Sequence, residues 1–263
     1  MVPSKKELVT VQQIDGMSTK TPHARELETI GKSVKTFLPR YSRDTIHEVV
    51  DEIGGSIDDL EFGEDLTMSF TFFPEATLHV VYYGADEDDD LVNEPDVRFL
   101  FSGKRVTWVS SEDLASLADL TMDYVRELLE SRNGAASSKG EVKSDLLQRS
   151  IMQRAEPFAL LKAIDMPDLG EFVDANISSR DGTWIMKKEF FPGITIVFEH
   201  DSKGLKVEFA GKKLTTMNDY AKDQLAIFLM NHVLRFVHLR YPGEANHPII
   251  EKAFSFSYLK GHS

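Results

Sequence analysis

Apolar and polar residues alternate strictly between residues 66 and 72. The apolar positions are Leu66, Met68, Phe70 and Phe72, and the residues between them are Thr67, Ser69 and Thr71. A period of two is typical of a β-strand with one buried face. Pro74 lacks a backbone N–H and predicts a corner, after which a second strand continues over 77–83. A third strand is predicted where Val97, Phe99 and Phe101 alternate with polar or smaller neighbours.

This pattern occurs twice in the chain. The segment "LTMSFTFFPEATLHVVYYG" begins at residue 66, and "WIMKKEFFPGITIVFEHD" begins at residue 184. Phe72 matches Phe190 at an offset of 118 (190 − 72), whereas Leu100 of "LFSGKRVT" matches Glu208 of "EFAGKKLT" at an offset of 108 (208 − 100). The difference of ten residues is an insertion in the first copy, within "ADEDDDLVNEP". Turns and periodicity that coincide in both copies predict an internal duplication.

Glycines and helix-capping residues predict the elements that follow the third strand in each copy. Gly103 and Gly211 supply the freedom for a tight turn into a fourth strand, predicted to end near Val109 and Thr216. The following "SSEDLASLADLTMDYVRELLESRNG" has serines for an N-cap, apolar residues at helical spacing and a stop at Asn-Gly. Further helices are expected at about 42–53 and 146–164.

The predicted fold class is therefore α+β, with an internally duplicated unit of helix, four-stranded antiparallel meander and helix in a pseudo-two-fold arrangement. The predicted domains are an N-terminal arm at 1–40, a first α+β repeat at 41–131, a linker at 132–145 and a second α+β repeat at 146–263. The linker contains "RNGAASSKGE", which is small and polar as linkers usually are.

The closing helix of the second copy differs from that of the first. Its sequence "LAIFLMNHVLRFVHL", which includes Phe228 and Leu229, is apolar around most of its circumference. A helix of that kind is buried on several sides. We expect it to lie between the two halves or in a homodimer contact, and the internal contact is favoured.

Composition excludes several classes of function. The 263 residues include no cysteine, which rules out disulfides, thiolate-bound metals and thiol nucleophiles. A net charge of −13 disfavours nucleic acid and anionic lipid as partners. Neither a secretory signal nor an apolar stretch of about 18 residues is present, so a cytoplasmic protein without membrane contact is expected.

Known catalytic motifs are absent from the sequence. It contains no G-x-S-x-G elbow, no phosphate-binding G-x-x-x-x-G-K-[ST] loop and no dinucleotide-binding G-x-G-x-x-G, and we expect no cofactor. His47 and Asp51 of "HEVVD" stand one helical turn apart, as in a zinc-protease helix with one ligand changed. Since no third ligand motif follows, a solvent-facing pair is the favoured interpretation.

The densest acidic run is a candidate metal site. Asp86, Asp88 and Asp90 have the spacing of the first three ligands of a calcium loop. The sixth position is Leu91 where a glycine is needed, and the twelfth is Val97 where a glutamate is needed. A solvated loop tip is the favoured interpretation, and a divalent-cation site is the alternative.

Four residues of the first copy could line a pocket or an interface: His79, Tyr82, Tyr83 and Trp108. His79 stands in an otherwise apolar strand, where a hydrogen-bonded core residue is more common than a ligand. The three aromatic residues have polar groups that a pocket could use, although such residues often simply pack in a core.

The first copy also resembles a known family in several short pieces: Pro74, Tyr82 to Asp90, Leu100-Phe101 and Glu112-Asp113-Leu114. Pro74 marks the start of a strand, and Tyr82 to Asp90 is the end of an aromatic strand that leads into an acidic turn. Leu100-Phe101 matches a short apolar run of that family, and Glu112-Asp113-Leu114 matches the start of a helix. Residues from Phe73 to about Leu129 thus resemble a prokaryotic family classed only as a domain of unknown function. The resemblance implies a bacterial or archaeal cytoplasmic protein and no mechanism.

The function most consistent with these features is a non-enzymatic protein that binds a small molecule or a protein partner, and a homodimer is one assembly that fits. The absence of a catalytic motif favours this hypothesis. The alternative is a hydrolase or lyase that uses a divalent metal bound by Asp86, Asp88 and Asp90.

Overall fold

A computed structural model describes residues 7–17, 19–74, 76–85, 94–134, 145–244 and 247–262. The chain divides into two compact units. The first contains the described residues up to 134 together with Phe256–Lys260, and the second contains those from 145 to 255 together with 261 and 262. Within the described ranges, no helix combines the length and the apolar character that crossing a bilayer requires.

The first unit is an α+β fold built on one antiparallel sheet with the strand order β1-β2-β3-β4. Its elements are α1 (Val11–Ile14), α2 (Pro22–Phe37), α3 (Arg43–Glu52), β1 (Ser56–Asp58), β2 (Leu66–Phe73), β3 (Ala76–Tyr83), β4 (Asp96–Ser102) and α4 (Ser111–Arg132). Consecutive strands are neighbours, so the sheet is a meander.

The second unit has a sheet of the same design with the order β5-β6-β7-β8. Its elements are α5 (Leu146–Arg154), α6 (Met166–Val173), β5 (Asn176–Arg180), β6 (Thr183–Phe191), β7 (Ile194–Asp201), β8 (Gly204–Ala210), α7 (Asp219–Arg240) and α8 (Pro248–Lys252). A last helix, α9 (Phe256–His262), begins in the first unit, where the Tyr258 ring lies 5.5 Å from the Trp108 ring.

The predicted duplication is confirmed down to the register of the strands. In the first sheet the pairing shifts between Thr71 and Phe73, and in the second it shifts between Glu189 and Phe191, 118 residues later (189 − 71). Helix α7 starts and ends 108 residues after α4 (219 − 111 and 240 − 132). The offsets of 118 and 108 residues found in the sequence therefore also relate equivalent positions of the two folds. The ten-residue insertion that separates the two offsets lies in the connection from β3 to β4. The pseudo-two-fold arrangement stays a prediction.

The N-caps of the two long helices show why the boundaries coincide. The Ser110 hydroxyl accepts a hydrogen bond from the Asp113 N–H at 3.2 Å, and the Asn218 side-chain oxygen accepts one from the Ala221 N–H at 2.8 Å. A serine in one helix and an asparagine in the other thus accept a hydrogen bond from the equivalent N–H group of the first turn, which has no partner within the helix.

Strand β2 is buried on both faces except at Thr71, although its alternation predicted one buried face. Met68 and Phe70 are buried on the helix-covered face, and Thr67 and Ser69 on the other face are only 0% and 4% exposed. The polar side of β2 is therefore buried at Thr67 and Ser69 and exposed at Thr71.

The prediction of four strands in each copy is confirmed, but the fourth strand was placed wrongly. Residues 106–108 and 214–216 form 3₁₀ turns and not strands. Gly103, with φ of 126°, turns the chain away from the sheet, and Ser110 starts a helix soon afterwards. The missing strands are β1 and β5, which come before the predicted ones.

The helix expected at 146–164 is also shorter than predicted. Helix α5 ends at Arg154, and Glu156–Leu160 forms a 3₁₀ segment. Pro157 cannot donate to the helix ladder and restricts the residue before it, which explains the end of the helix. The helix predicted at about 42–53 agrees with α3, Arg43–Glu52.

Residues that the sequence suggested as an N-terminal arm carry helix α2, which packs against α4 and β4 in the first unit. The Arg126 guanidinium of α4 donates to the Ser33 hydroxyl of α2 at 3.4 Å. The backbone of Val9 pairs with Phe101, and each N–H donates to the other carbonyl at 2.8 Å. Val9 thereby covers part of the outer edge of β4.

Candidate functional site

A cavity of about 530 Å³ lies on the polar face of the first sheet. The pairing register places the facing side chains together, because Ser56 pairs with Ser69, Ser69 with His79, and Thr77 with Ser102. Six hydroxyl residues line the cavity: Ser56, Ser69, Thr71, Thr77, Ser102 and Thr107. We call it the His79 cavity. Its size is within the usual range for small-molecule sites.

His79 is held between two serines. The Ser69 hydroxyl lies 2.7 Å from His79 Nδ1, and the Ser102 hydroxyl lies 2.8 Å from His79 Nε2. The three residues are 4%, 1% and 6% exposed in the order Ser69, His79, Ser102. Both ring nitrogens therefore have a hydrogen-bond partner, and the ring orientation is fixed from two neighbouring strands.

Burial favours the neutral form of the imidazole. It lowers the pKa of His79 below the usual value, and the nearby Asp58 carboxylate offsets part of that effect. Asp58 accepts a hydrogen bond from the Ser56 hydroxyl at 3.2 Å. Farther along the face, the Thr71 and Thr77 hydroxyls lie 2.9 Å apart. The lining is thus a set of paired hydroxyl groups around one neutral imidazole.

A serine within hydrogen-bond reach of a neutral imidazole is also the arrangement of a nucleophile and its base. Acyl transfer needs, in addition, N–H donors for the developing oxyanion. Ser69 lies inside β2, with Ser56 of β1 on one side and His79 of β3 on the other. The backbone N–H groups around it belong to the sheet, so the geometry fits ligand binding better than acyl transfer.

The same face of the second sheet has different chemistry. The positions of Ser69, His79 and Ser102 are occupied by Lys187, Val197 and Ala210, at offsets of 118, 118 and 108. Lys187 and Ala210 are exposed, and Val197 is half-buried. Neighbouring positions on this face carry the exposed charges Glu189, Lys206 and Glu208. The polar, enclosed surface is therefore a feature of the first copy.

A second, more open cavity of about 510 Å³ lies at the end of the second sheet. The Trp184 indole stacks on the His200 ring there, with centroids 5.2 Å apart and planes 13° apart. Burial lowers the pKa of His200, and Asp201 offsets part of this effect. The Trp184 Nε1 has no hydrogen-bond partner in the described structure and is inaccessible to solvent. This cavity has fewer buried polar contacts than the His79 cavity.

The structure places the other predicted residues of the first copy apart from the cavity lining. Tyr82 and Tyr83 end β3, where the Arg98 guanidinium lies 5.0 Å from the centre of the Tyr83 ring. Burial raises the pKa of both tyrosines. Trp108 lies in the 3₁₀ turn, 5.6 Å below the Arg105 guanidinium. Of the predicted residues, His79 belongs to the described lining.

Phe228 and Leu229 are 2% and 0% exposed in α7. Inside the second unit, α7 contacts α5, α6 and α8. The Arg154 guanidinium of α5 donates to the Asn231 side-chain oxygen at 2.9 Å, and His232 Nε2 lies 3.1 Å from the Phe172 carbonyl of α6. A contact of these residues with another molecule stays a prediction.

The predicted metal ligands Asp86, Asp88 and Asp90 lie outside the described residues. Among the residues that are described, no three His, Asp or Glu side chains come together in a way that could hold a metal ion.

Sequence reasoning missed Ser69, Thr71, Thr77 and Ser102 as lining residues. Part of their signal appears only when the strands are paired, because Ser69 then lies across from His79, and Thr77 lies across from both Thr71 and Ser102 on the same face. The comparison of the two copies would have strengthened it, because the equivalent residues of the second copy include Lys187, Glu189 and Ala210.

No family model, curated protein or solved structure matches the chain. The resemblance of residues 73–129 to a prokaryotic domain of unknown function therefore stays a prediction.

Proposed function

We propose that the first unit is a non-enzymatic binding module that takes up a small polar molecule in the His79 cavity. One observation carries this proposal: the first copy buries a hydrogen-bonded Ser69–His79–Ser102 set beside a cavity of about 530 Å³. The duplicated scaffold does not need this set, because the second sheet keeps the same register with Lys187, Val197 and Ala210.

Burying polar groups costs stability unless they are hydrogen-bonded, and even then the net gain is small. A core of the same shape could be built from apolar side chains, as other parts of both sheets are. Polar groups that surround an open volume are instead the usual way in which a pocket orients its ligand. This reasoning favours binding over a purely structural role for His79.

The duplication supplies a matched experiment. Thr107 lines the His79 cavity, and the exposed Thr215 is its counterpart in the second copy (215 − 107 = 108). A tryptophan at Thr107 would occupy the cavity mouth, whereas a tryptophan at Thr215 would leave the cavity open. Wild type, Thr107→Trp and Thr215→Trp are screened by saturation-transfer NMR against a panel of small alcohols, amides, carboxylic acids and amines.

We expect some members of the panel to bind wild type and Thr215→Trp and to lose binding to Thr107→Trp. Equal binding to all three proteins, or to none, would contradict the proposal. Native mass spectrometry of the purified wild type gives an independent check, because a retained small molecule and the oligomeric state appear in one spectrum.

The compartment and the partners belong to the same proposal. A chain without cysteine needs no oxidising compartment, and −13 net charge disfavours nucleic acid and anionic membrane surfaces. We therefore propose that the binding module is cytoplasmic, and a prokaryotic source is what the resemblance of residues 73–129 implies. Fractionation of cells that express the full-length protein tests this placement.

A further inference from the structure

The hydrogen bonds around His79 limit the kind of molecule that the His79 cavity can take. A neutral imidazole has one N–H donor and one lone-pair acceptor. Since both ring nitrogens contact a serine, one serine accepts the N–H and the other donates its own hydrogen to the ring. The first serine keeps an O–H for a ligand, and the second keeps lone pairs. The set thus presents a donor on one side of the ring and an acceptor on the other.

The remaining polar groups of the lining also offer both hydrogen-bond donors and hydrogen-bond acceptors. In the Thr71–Thr77 pair, whichever hydroxyl accepts still has its own hydrogen to donate, and the donating oxygen still has a free lone pair. Asp58 adds an acceptor next to the Ser56 hydroxyl. A ligand hydroxyl both donates and accepts, and therefore matches every one of these groups. A carboxylate can only accept, and an ammonium group can only donate.

Charge and shape agree with this selection. The charged lining residues are Glu7, Asp58 and Lys104, so the described lining carries both signs and no cluster of one sign. Its apolar side chains are Val9 and Val106, and the described lining includes no Phe, Tyr or Trp ring on which a flat ligand could stack. A small, flexible and uncharged molecule is the best match.

We propose that the ligand of the His79 cavity is a neutral polyol, recognised by the paired hydroxyls of the first sheet and by the Ser69–His79–Ser102 set. This inference rests on the proposed binding function and makes it more specific. It assigns the ligand class from donor and acceptor matching, and it predicts that charged analogues of the same carbon skeleton are rejected.

Three probes with one six-carbon skeleton test the ligand class: sorbitol, gluconate and glucamine, which end in a hydroxyl, a carboxylate and an ammonium group. Binding is measured by isothermal titration calorimetry. Melting temperature is unsuitable, because polyols stabilise proteins in general by exclusion from their surface. The proteins are wild type, Thr77→Val and Thr195→Val. Thr195 is the counterpart of Thr77 in the second copy (195 − 77 = 118), and it lies outside the His79 cavity.

We expect sorbitol to bind wild type and Thr195→Val equally and to bind Thr77→Val about fivefold to tenfold more weakly, which is the usual effect of losing one hydrogen bond. Gluconate and glucamine should bind wild type at least about tenfold more weakly than sorbitol, because each leaves hydroxyl groups of the lining unmatched.

Other outcomes separate the two proposals. Tighter binding of gluconate or glucamine, or binding of a different panel member that Thr107→Trp blocks, would overturn the polyol assignment and leave the binding function standing. Equal weakening of sorbitol by Thr77→Val and Thr195→Val would place the binding outside the His79 cavity and overturn the assignment as well. If no probe and no panel member bound, both proposals would be wrong.

Discussion

The first sheet carries Ser69, His79 and Ser102 at the positions where the second sheet carries Lys187, Val197 and Ala210. The two sheets nevertheless share the strand order and the position of the register shift. The buried apolar face of each sheet, where Met68 and Met186 are both 0% exposed, specifies this register, and the side chains of the opposite face do not. One face could therefore change from exposed charges to buried hydroxyls while the fold stayed the same. The difference separates what the scaffold requires from what a function requires.

The long helices show a similar contrast. Both α4 and α7 span 22 residues, and Leu229 of α7 takes the position of Thr121 of α4 (229 − 121 = 108). Each of these two residues is 0% exposed. The Thr121 hydroxyl donates to the Leu117 carbonyl at 2.6 Å, so the first copy satisfies a polar group where the second packs a leucine.

The largest effect is expected from Leu229→Asp. It would place a carboxyl group at a fully buried apolar position, and burial of an uncompensated charge or polar group is among the few changes that cost more than about 4 kcal/mol. Urea unfolding followed by circular dichroism measures the loss. The matched control is Leu239→Asp on the same helix, where the side chain is 39% exposed and the change should stay within about 0.5 kcal/mol. Similar unfolding curves for both variants would contradict the described packing of α7.

A second contrast concerns one arginine that occurs in both copies. Arg132 at the end of α4 pairs with Glu48 and Glu52 of α3. Its counterpart Arg240 donates to Asp165 at 2.9 Å, and Asp165 is 0% exposed. Burial would raise the pKa of Asp165, but hydrogen bonds from the Tyr241 hydroxyl, the Lys162 N–H and the Arg240 guanidinium lower it.

We therefore expect Arg240→Met to lower the free energy of unfolding more than Arg132→Met does, because the change removes the charged partner of the buried Asp165 carboxylate. Arg132→Met should cost less than about 1 kcal/mol, since its pairs are partly exposed. Urea unfolding of the two variants gives the comparison. A larger loss of unfolding free energy for Arg132→Met would show that the burial of the acidic partner does not decide which of these two ion pairs contributes more to stability.

The duplication could be predicted from the sequence because its signals are local. The run Phe72-Phe73-Pro74 recurs as Phe190-Phe191-Pro192, and the caps at Ser110 and Asn218 stand next to the helices that they start. Strand β1 was missed because its three residues are too few to show an alternation.

The Ser69–His79–Ser102 set could not be predicted in this way. Ser69 and Ser102 are 33 residues apart (102 − 69), and only the register of three strands brings them to one imidazole. In addition, an alternating polar residue has the same sequence pattern whether its face is open to water or buried, as Thr67 and Ser69 illustrate. Tertiary packing determines whether a face of the sheet is covered, and the periodicity of the sequence does not predict that packing.

Exchanging one residue between the copies tests the comparison of the two faces directly. His79→Val installs the residue of the second copy and leaves the buried hydroxyls of Ser69 and Ser102 without the ring. We expect a loss of about 1–3 kcal/mol in urea unfolding, the cost of unsatisfied buried polar groups. The reverse change, Val197→His, is at a half-buried position and should stay within about 0.5 kcal/mol. Equal losses would mean that the environment of the first sheet does not depend on His79.

The smallest expected effect is a difference in pH dependence between the copies. Burial lowers the pKa of His79 from 6.5, and Asp58 offsets part of the change. Below pH 6.5 the unfolded chain therefore binds a proton that the folded protein does not. The stability contributed by neutral His79 is complete above pH 6.5 and is lost as the pH falls toward the folded-state pKa, with a slope of at most about 1.4 kcal/mol per pH unit.

The measurement compares unfolding free energies of wild type, His79→Gln and His200→Gln between pH 7.5 and 5. Carboxylates titrate similarly in all three proteins, so the differences between the curves isolate each histidine. Glutamine can still donate to one serine and accept from the other, which keeps His79→Gln folded. Burial also lowers the pKa of His200, but this ring is only half-buried, so His79→Gln should flatten the curve more than His200→Gln does. A larger flattening in His200→Gln would place the stronger buried-histidine effect in the second copy and reverse the comparison of the two faces.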